Sequence, residues 1–333
     1  MTATSSAQDD AQRAPTAQDV GTVTVVVCTY DGDRWDLLCR ALASVRQQSR
    51  VPEQIVLVVD HNLALLERAR RAFPDVDVVP NACPRGLAGA RNTALVHARG
   101  DVVAFLDDDA RADPAWLERL LATYADDRVV GAGGAVEPAW VAPKPRWFPD
   151  EFLWVVGCSW PGLPSSVGAV RNPIGASMSF RRRAFERAGS FTDGVGRGAS
   201  NLMGCEETEF SIRLHQALPD GVVLYVPAAR VGHSVDRSRT TWRYFVTRCV
   251  SEGRSKALVA ASVGADAALA SERTYTTRTL PRGIARGIGD AMRGDCAGLL
   301  RAGAIVAGLG ATAAGYIRGR VAFVRAKRRS SLP

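Results

Sequence analysis

The chain is 333 residues long, 47% hydrophobic and 23% charged, with a formal net charge of +8. Such a length and apolar content suit one large α/β domain with a smaller appendage, and exclude a chain disordered throughout. Its seven cysteines are scattered, odd in number and never spaced as CxxC, which argues against a disulfide framework or a zinc site and for a reducing compartment.

Residues 1–21 are rich in Ala, Ser, Thr, Gln and Asp without an apolar run, so a disordered leader is expected there and not a signal peptide. Val23–Cys28 is a β-branched apolar run and predicts a buried parallel strand. A helical pattern follows over Trp35–Gln48, then a strand over Gln54–Asp60, a helix over Leu63–Phe73 and a short strand over Val76–Pro80. Gly86–Ala98 is expected to be helical and Asp101–Leu106 a fourth strand. Asp113 as N-cap and Pro114 at the first helical position open a helix through Tyr124. Strands alternating with helices at this spacing predict an α/β fold, a mostly parallel Rossmann-like sheet with its site at the strands' carboxyl ends.

After Gly134 the pattern changes. Pro138–Pro173 holds Trp140, Trp147, Trp154 and Trp160 among many prolines, and is either a functional loop or an insertion packed on the core. Gly204–Phe210 opens a helix with Phe210, Leu214 and Ala217 facing inward, and Val222–Val226 returns to strand. Over Thr241–Val250 a helix shows Trp242, Phe245, Val246, Cys249 and Val250 on one face, with Arg243 and Arg248 on the other. Ala302–Ile317 is apolar but short for a bilayer span, and an interfacial or docked helix is expected. Arginines gather from Arg282 onward (Arg286, Arg293, Arg318, Arg320, Arg325, Arg328, Arg329), which suits either a solvated face or an anionic membrane surface. No nucleic-acid recognition motif is present.

Asp107, Asp108 and Asp109 follow the fourth strand directly. Carboxylates crowded at a strand end repel one another unless a cation sits among them, and oxygen ligands select hard ions such as Mn²⁺ or Mg²⁺. The alternative is an acidic cap or turn, although Asp113 is expected to supply the cap. The first strand ends in Thr29, Tyr30 and Asp31 and the second in Asp60, so a ring and carboxylates suited to a base and ribose reach the same edge. Glu206 and Glu207 open the helix after Gly204; an ionised carboxylate there is either a general base or a solvated acidic turn. Glu209 and Arg213, spaced i, i+4, are suited to pair. His233, after the Val222 strand, is a further metal or phosphate ligand or a structural histidine.

The order of motifs resembles the family 2 glycosyltransferases of GT-A fold, a nucleotide-diphospho-sugar transferase fold. The match runs through VVVCTYDGDRWDLL (Val25–Leu38), VVD (Val58–Asp60), GLAGARNTAL (Gly86–Leu95), AFLDDDA (Ala104–Ala110), GASMSFRR (Gly175–Arg182) and GCEETEF (Gly204–Phe210). Within the family, VVDHN, FLDDDA and GCEETE are similar to the subgroup labelled polyprenyl-phosphate-glycan glucuronosyltransferases. The resemblance implies a catalytic domain over residues 22–260, with a nucleotide-binding half at 22–134 and an acceptor half at 135–260. A helical, basic extension, possible at a membrane surface, would occupy 261–333.

It further implies that Thr29, Tyr30 and Asp60 hold uracil and ribose, with Arg91 bracing the pocket. Asp107 and Asp109 would form the DxD motif, Asp109 being the first metal ligand. Gly175, Ala176, Ser177 and Met178, with Trp160, would line the sugar and acceptor side. Glu207 aligns with the family's catalytic aspartate, and Glu206 is the second candidate base. The usual DDGS is Asp60–His61–Asn62–Leu63 here, so contacts beyond Asp60 are not carried over. The implied reaction is inverting transfer from a nucleotide-diphosphate sugar, UDP being the expected nucleotide, to a lipid-linked or cell-envelope glycan at the inner face of the cell membrane. A glucuronate donor would need a cation facing its carboxylate, for which Arg171, Arg181 and Arg182 are available.

Two other readings compete. A nucleotidyltransferase also uses acidic metal ligands on an α/β sheet, but needs a Gly-rich phosphate loop, and Val23–Leu38 offers only Gly32. A non-catalytic nucleotide-sugar-binding protein is the other, against which stand the intact aspartate triplet and Glu206–Glu207.

Overall fold

The computed structural model describes residues 21–193, 204–264 and 272–330, so the expected leader lies outside the described residues apart from Gly21. Strand β1 (Val23–Thr29) is central, flanked in parallel by β2 (Gln54–Val59) and β4 (Val102–Asp107), with β3 (Asp77–Pro80) beyond β2. Helices α1 (Trp35–Arg46), α2 (Leu63–Ala72) and α3 (Leu87–His97) connect these strands. Side chains of β1 alternate between the two faces, as the strand pleat requires. Val25 and Val27 pack with α1 and α2, whereas Val26 packs with Ala90 and Ala94 of α3. Both faces are therefore apolar, which is why the strand is a continuous hydrophobic run.

The second half of the sheet is built differently. The strands β5 (Ala110–Ala112), β6 (Val129–Trp140), β7 (Gly168–Ala169), β8 (Ser177–Arg181) and β9 (Val222–Val235) complete a nine-stranded sheet. Its order is β3-β2-β1-β4-β8-β6-β9-β5, with β7 on β9. Strand β8 runs antiparallel to both β4 and β6, β6 and β9 are parallel, and β5 is antiparallel to β9. Only the first half of the sheet is thus the parallel array that the spacing predicts.

Asp113 does not cap a helix. Its N–H donates to Arg230 O at 3.0 Å, prolonging the β5–β9 pairing, and helix α4 starts later, at Trp116–Leu121, without a side-chain cap. Helices α5 (Arg182–Ala188) and α6 (Glu206–Ala217) follow β8, and Phe210 and Leu214 of α6 are buried as expected, although Ala217 is exposed. In α7 (Trp242–Val263) Phe245 and Cys249 are buried, but so is Arg248, which the amphipathic pattern assigns to solvent.

Arg248 pairs with Glu252 at 2.9 Å and lies over the Trp154 ring, 5.9 Å from its centroid, beside the turn at Gly204. Helix α8 (Leu280–Met292) leads into the long α9 (Ala297–Ser330), which lies along α7. At Gly253 an added Cβ would lie 2.0 Å from Thr312 O, and at Gly315 2.1 Å from Val250 O, so the two helices meet backbone to backbone through these glycines. Ala297–Phe323 is long and apolar enough to cross a bilayer by length and composition, yet a third of its most apolar window is buried against the rest of the chain. The aromatic segment both packs and lines a cavity. Trp147 and Phe148 contact Phe245 of α7 at centroid distances of 5.5 and 5.6 Å, while Trp154 and Trp160 face the cavity described below.

Candidate active site

Strand register brings the acidic triplet to the expected neighbours. Cys28 pairs with Asp107 across β1 and β4, and Asp60 N donates to Thr29 O at 2.7 Å. The ends of three parallel strands therefore share one edge. Thr29 Oγ1 donates to Asp108 Oδ2 at 2.7 Å. Asp60 accepts from Asn81 Nδ2 at 2.7 Å and from Gly86 N at 3.0 Å, which fixes it at the β2 end. Tyr30 is 53% exposed at the rim, where its ring is open to a stacking partner. Asp31 caps the turn Gly32–Arg34 by accepting from Asp33 N.

Immediately after the triplet, β5 pairs Ala110 with His233 of β9. This register places His233 Nε2 3.1 Å from Asp109 Oδ1. His233 thus lies inside a strand and not after one. Two arginines that the sequence reading did not single out complete the cluster. Arg34 bridges Asp108 Oδ1 at 2.9 Å and Asp109, and Arg239 lies 3.5 Å from Asp109. Arg34 ends the turn straight after Tyr30–Asp31, a position within the first motif that could have flagged it; Arg239 follows β9 in a segment without any signal.

The three carboxylates differ electrostatically. Burial pushes Asp108 up to about 7, with Arg34 opposing and Asp109 adding to the rise. Burial would also raise Asp109, but His233, Arg34 and Arg239 outweigh it and hold Asp109 well below the usual carboxylate range. Reciprocally, His233 is pushed up to about 10 by Asp109 against the opposing effect of burial.

Asp107, Asp109 and His233 each offer one ligand atom, all within 4.8 Å of one another. Two carboxylate oxygens fit a hard divalent ion, and the imidazole favours Mn²⁺ over Mg²⁺. The donor set therefore fits the metal that the sequence implies, with Asp108 turned instead to Thr29 and Arg34.

Arg91 links this edge to the glutamates. It is 2% exposed, with Nη1 2.9 Å from Glu206 Oε1 and Nη2 3.5 Å from Asp107 and 3.1 Å from Gly175 O. Glu206 is thereby committed to an ion pair. Glu207 is half-buried and makes no ion pair among the described residues. Burial, then the Glu206 charge, pushes its carboxyl up to about 8. Cys205, at φ 77° directly before α6, turns the chain so that both glutamates open the helix. Glu209 and Arg213 pair at 2.6 Å, as their spacing suggests.

Glu207 lines a cavity of about 690 Å³ that also receives Asp107, Arg91, His233, Trp160 and Gly175. Asp107 therefore stands where the strand-end cluster opens into the cavity. Ala176 lines it too, but Ser177 and Met178 do not. Both are fully buried in β8, Ser177 accepting from Trp116 Nε1 at 2.9 Å and Met178 within the core. Nor do Arg181 and Arg182 face the cavity: they donate to backbone carbonyls at Val129 and at Ala98 and Gly100. Of the three arginines considered for a uronate, only Arg171 lines it.

Comparison with known proteins bears on the family and the fold. Residues 24–189 match the family described as Glycosyl transferase family 2. A glucosyl-dolichyl phosphate glucuronosyltransferase of Haloferax volcanii is 37% identical over 238 residues, covering 70% of this chain and 76% of the relative. The succinoglycan biosynthesis protein ExoM of Rhizobium meliloti is 28% identical over 243 residues, covering 70% and 73%. Among solved structures, a mannosyltransferase from Pyrobaculum calidifontis in complex with GDP-Man and Mn²⁺ matches with a TM-score of 0.57 at 19% identity, covering 92% of this chain and 90% of that one. That likeness is one of fold.

Proposed function

The chain belongs to glycosyl transferase family 2, and from that premise we propose that it transfers a sugar from a UDP-sugar to a hydroxyl of a lipid-linked glycan, with inversion at the anomeric carbon. The observation that carries this reading is the Glu206–Arg91–Asp107 connection, which ties a paired carboxylate helix to the acidic strand end and leaves Glu207 on the cavity wall.

In this reading Thr29, Tyr30 and Asp60 hold the uridine, and Asp107, Asp109 and His233 hold Mn²⁺ or Mg²⁺. When bound, the cation supplies charge neutralisation for the departing diphosphate. Arg91 holds Glu206 in place through their ion pair, so that Glu207 is left to meet the acceptor. Glu207 takes the acceptor's hydroxyl proton as the oxygen attacks the anomeric carbon. The carbon–oxygen bond to the nucleotide breaks, UDP leaves with the electron pair, and the proton returns from Glu207 to solvent. Gly175, Ala176 and Trp160 shape the space around the sugar and acceptor.

The lipid-linked acceptor is supported by the relative that acts on glucosyl-dolichyl phosphate and by the surface of the C-terminal helices. Ile288, Met292, Leu299, Leu300, Val306 and Ile317 are exposed there, alongside the arginines of the same region. An anionic membrane surface at the cytoplasmic face fits both features. The reading is tested by incubating the protein with UDP-sugars, Mn²⁺ and a prenyl-phosphate-linked hexose. Release of UDP with an inverted anomeric product is expected; release of pyrophosphate would identify a nucleotidyltransferase instead.

A further inference from the structure

A second charged cluster lines the cavity and takes no part in the steps above. Arg248, Glu252 and Lys256 follow one another at four-residue intervals on α7, a stripe about 12 Å long. Arg248 Nη1 is 2.9 Å from Glu252 Oε2, and Lys256 Nζ is 3.3 Å from Glu252 Oε1. Lys256 also pairs with Glu272. Arg171, from the segment between β7 and β8, meets the same Glu272 with both terminal nitrogens, at 2.9 and 3.2 Å. All five side chains belong to the cavity wall.

Both carboxylates of the cluster are held ionised. Burial would raise Glu252 and Glu272, but Lys256 and the arginines outweigh it, holding Glu252 at about 2 and Glu272 below its usual range. Burial would lower Lys256, yet the two glutamates keep it charged. Among the described residues of this cluster, three cations thus face two carboxylates. Moreover, Arg248 is only 6% exposed and its Nε has no hydrogen-bond partner. A buried cation short of an acceptor is unfavourable unless something completes it.

Two further observations point to the occupant. Arg248 adjoins the turn that carries the candidate base: a Cβ on Gly204 would lie 3.1 Å from Arg248 Nη2. On its other side the wall continues into α9 with Leu309, Thr312, Ala313, Tyr316 and Ile317. Leu309 and Ile317 are 40% and 62% exposed, so an apolar track leads from the charged cluster to the surface. A ligand with an anionic group beside an apolar chain matches both halves of this wall.

We propose that Arg171, Arg248 and Lys256 form an anion subsite that holds the phosphate of a lipid-phosphate-linked acceptor, whose chain leaves along α9. The inference rests on the reading of the chain as a transferase with a lipid-linked acceptor, and it assigns the residues that would select the phosphate.

The test compares two acceptors, a hexose on farnesyl phosphate and the same hexose on farnesol, with the full chain, Mn²⁺ and a UDP-sugar. In the unaltered protein the phosphorylated acceptor should show a KM about 10- to 100-fold lower, the range that charge-assisted hydrogen bonds give. Lys256→Gln and Arg171→Gln should each erode that preference, while donor Kd by calorimetry stays unchanged. Lys256→Arg should retain most of it. Equal KM values for the two acceptors in the unaltered protein would overturn the subsite, and this arm needs no variant to fold. A rise in donor Kd confined to uronate donors would also overturn it, assigning the cluster to the donor's carboxylate. Absence of transfer to either acceptor from any nucleotide sugar would instead remove the proposed function itself.

Discussion

The two halves of the sheet carry function in different ways. In the β3-β2-β1-β4 half, Thr29, Asp60 and Asp107 each come from the end of a neighbouring parallel strand, so chain order alone brings them together. Around the cavity, Trp160, Gly175, Glu207, Arg248 and Ile317 come from an irregular segment, the entry to β8, and three separate helices. The first arrangement follows from local pattern; the second exists only once α9 has docked on α7. Nucleotide binding should accordingly tolerate damage to the C-terminal helices, and acceptor transfer should not.

The largest expected effect lies at Glu207. Glu207→Gln should lower turnover by about 10²–10⁴, the range of general-base assistance, while leaving UDP binding intact. Unchanged turnover would remove Glu207 from the mechanism and return Glu206 to consideration.

The second prediction concerns pH. Burial and then the Glu206 charge push the Glu207 carboxyl up to about 8, so only a minor share is ionised at neutral pH and able to accept a proton. Turnover should therefore climb by about tenfold per pH unit below that value and level off above it. The stability effect has a definite sign as well. The folded state retains a proton that the unfolded chain has lost between its ordinary value, 4.5, and about 8, so this group's contribution falls as pH rises across that window. Glu207→Gln should flatten this part of the profile of Tm against pH; an unaltered slope would mean that Glu207 is not the group responsible.

The smallest change tests the helix seam. Gly315→Ala would ordinarily gain about 1 kcal/mol of helix propensity. Here the new methyl would meet Val250 O at 2.1 Å, and a loss of about 1–3 kcal/mol is expected instead. Acceptor KM should rise and donor affinity should hold. A gain in Tm would show that α7 and α9 are not closely packed.

How much of this the sequence reveals follows the same division. Strands β1, β2 and β4 lie within a residue or so of their predicted limits, because both of their faces are apolar. Strand β6 gives no such signal, since its VVGAGGAV run resembles a loop. Its glycines are there for space: a Cβ on Gly131 would lie 2.6 Å from the Phe180 ring and one on Gly134 1.9 Å from Ala229 O. Helix α7 illustrates the opposite error. Its periodicity is real, but the arginine assigned to water is enclosed by Glu252, the Trp154 ring and the turn at Gly204, which turns Arg248 from a solvated residue into a buried one. In the site, the aspartates and glutamates are legible by their crowding, and Arg34 is not, because one arginine in a turn resembles any other until Asp108 and Asp109 are seen beside it.

In the proposed function, Asp107, Asp109 and His233 make donor binding depend on a divalent cation. Calorimetric titration of the unaltered protein and of Asp109→Asn with a UDP-sugar, in Mn²⁺ and then in EDTA, tests it most directly. Binding by the unaltered protein is expected in Mn²⁺, lost in EDTA and lost in Asp109→Asn under both conditions. Equal affinity in Mn²⁺ and in EDTA would contradict it.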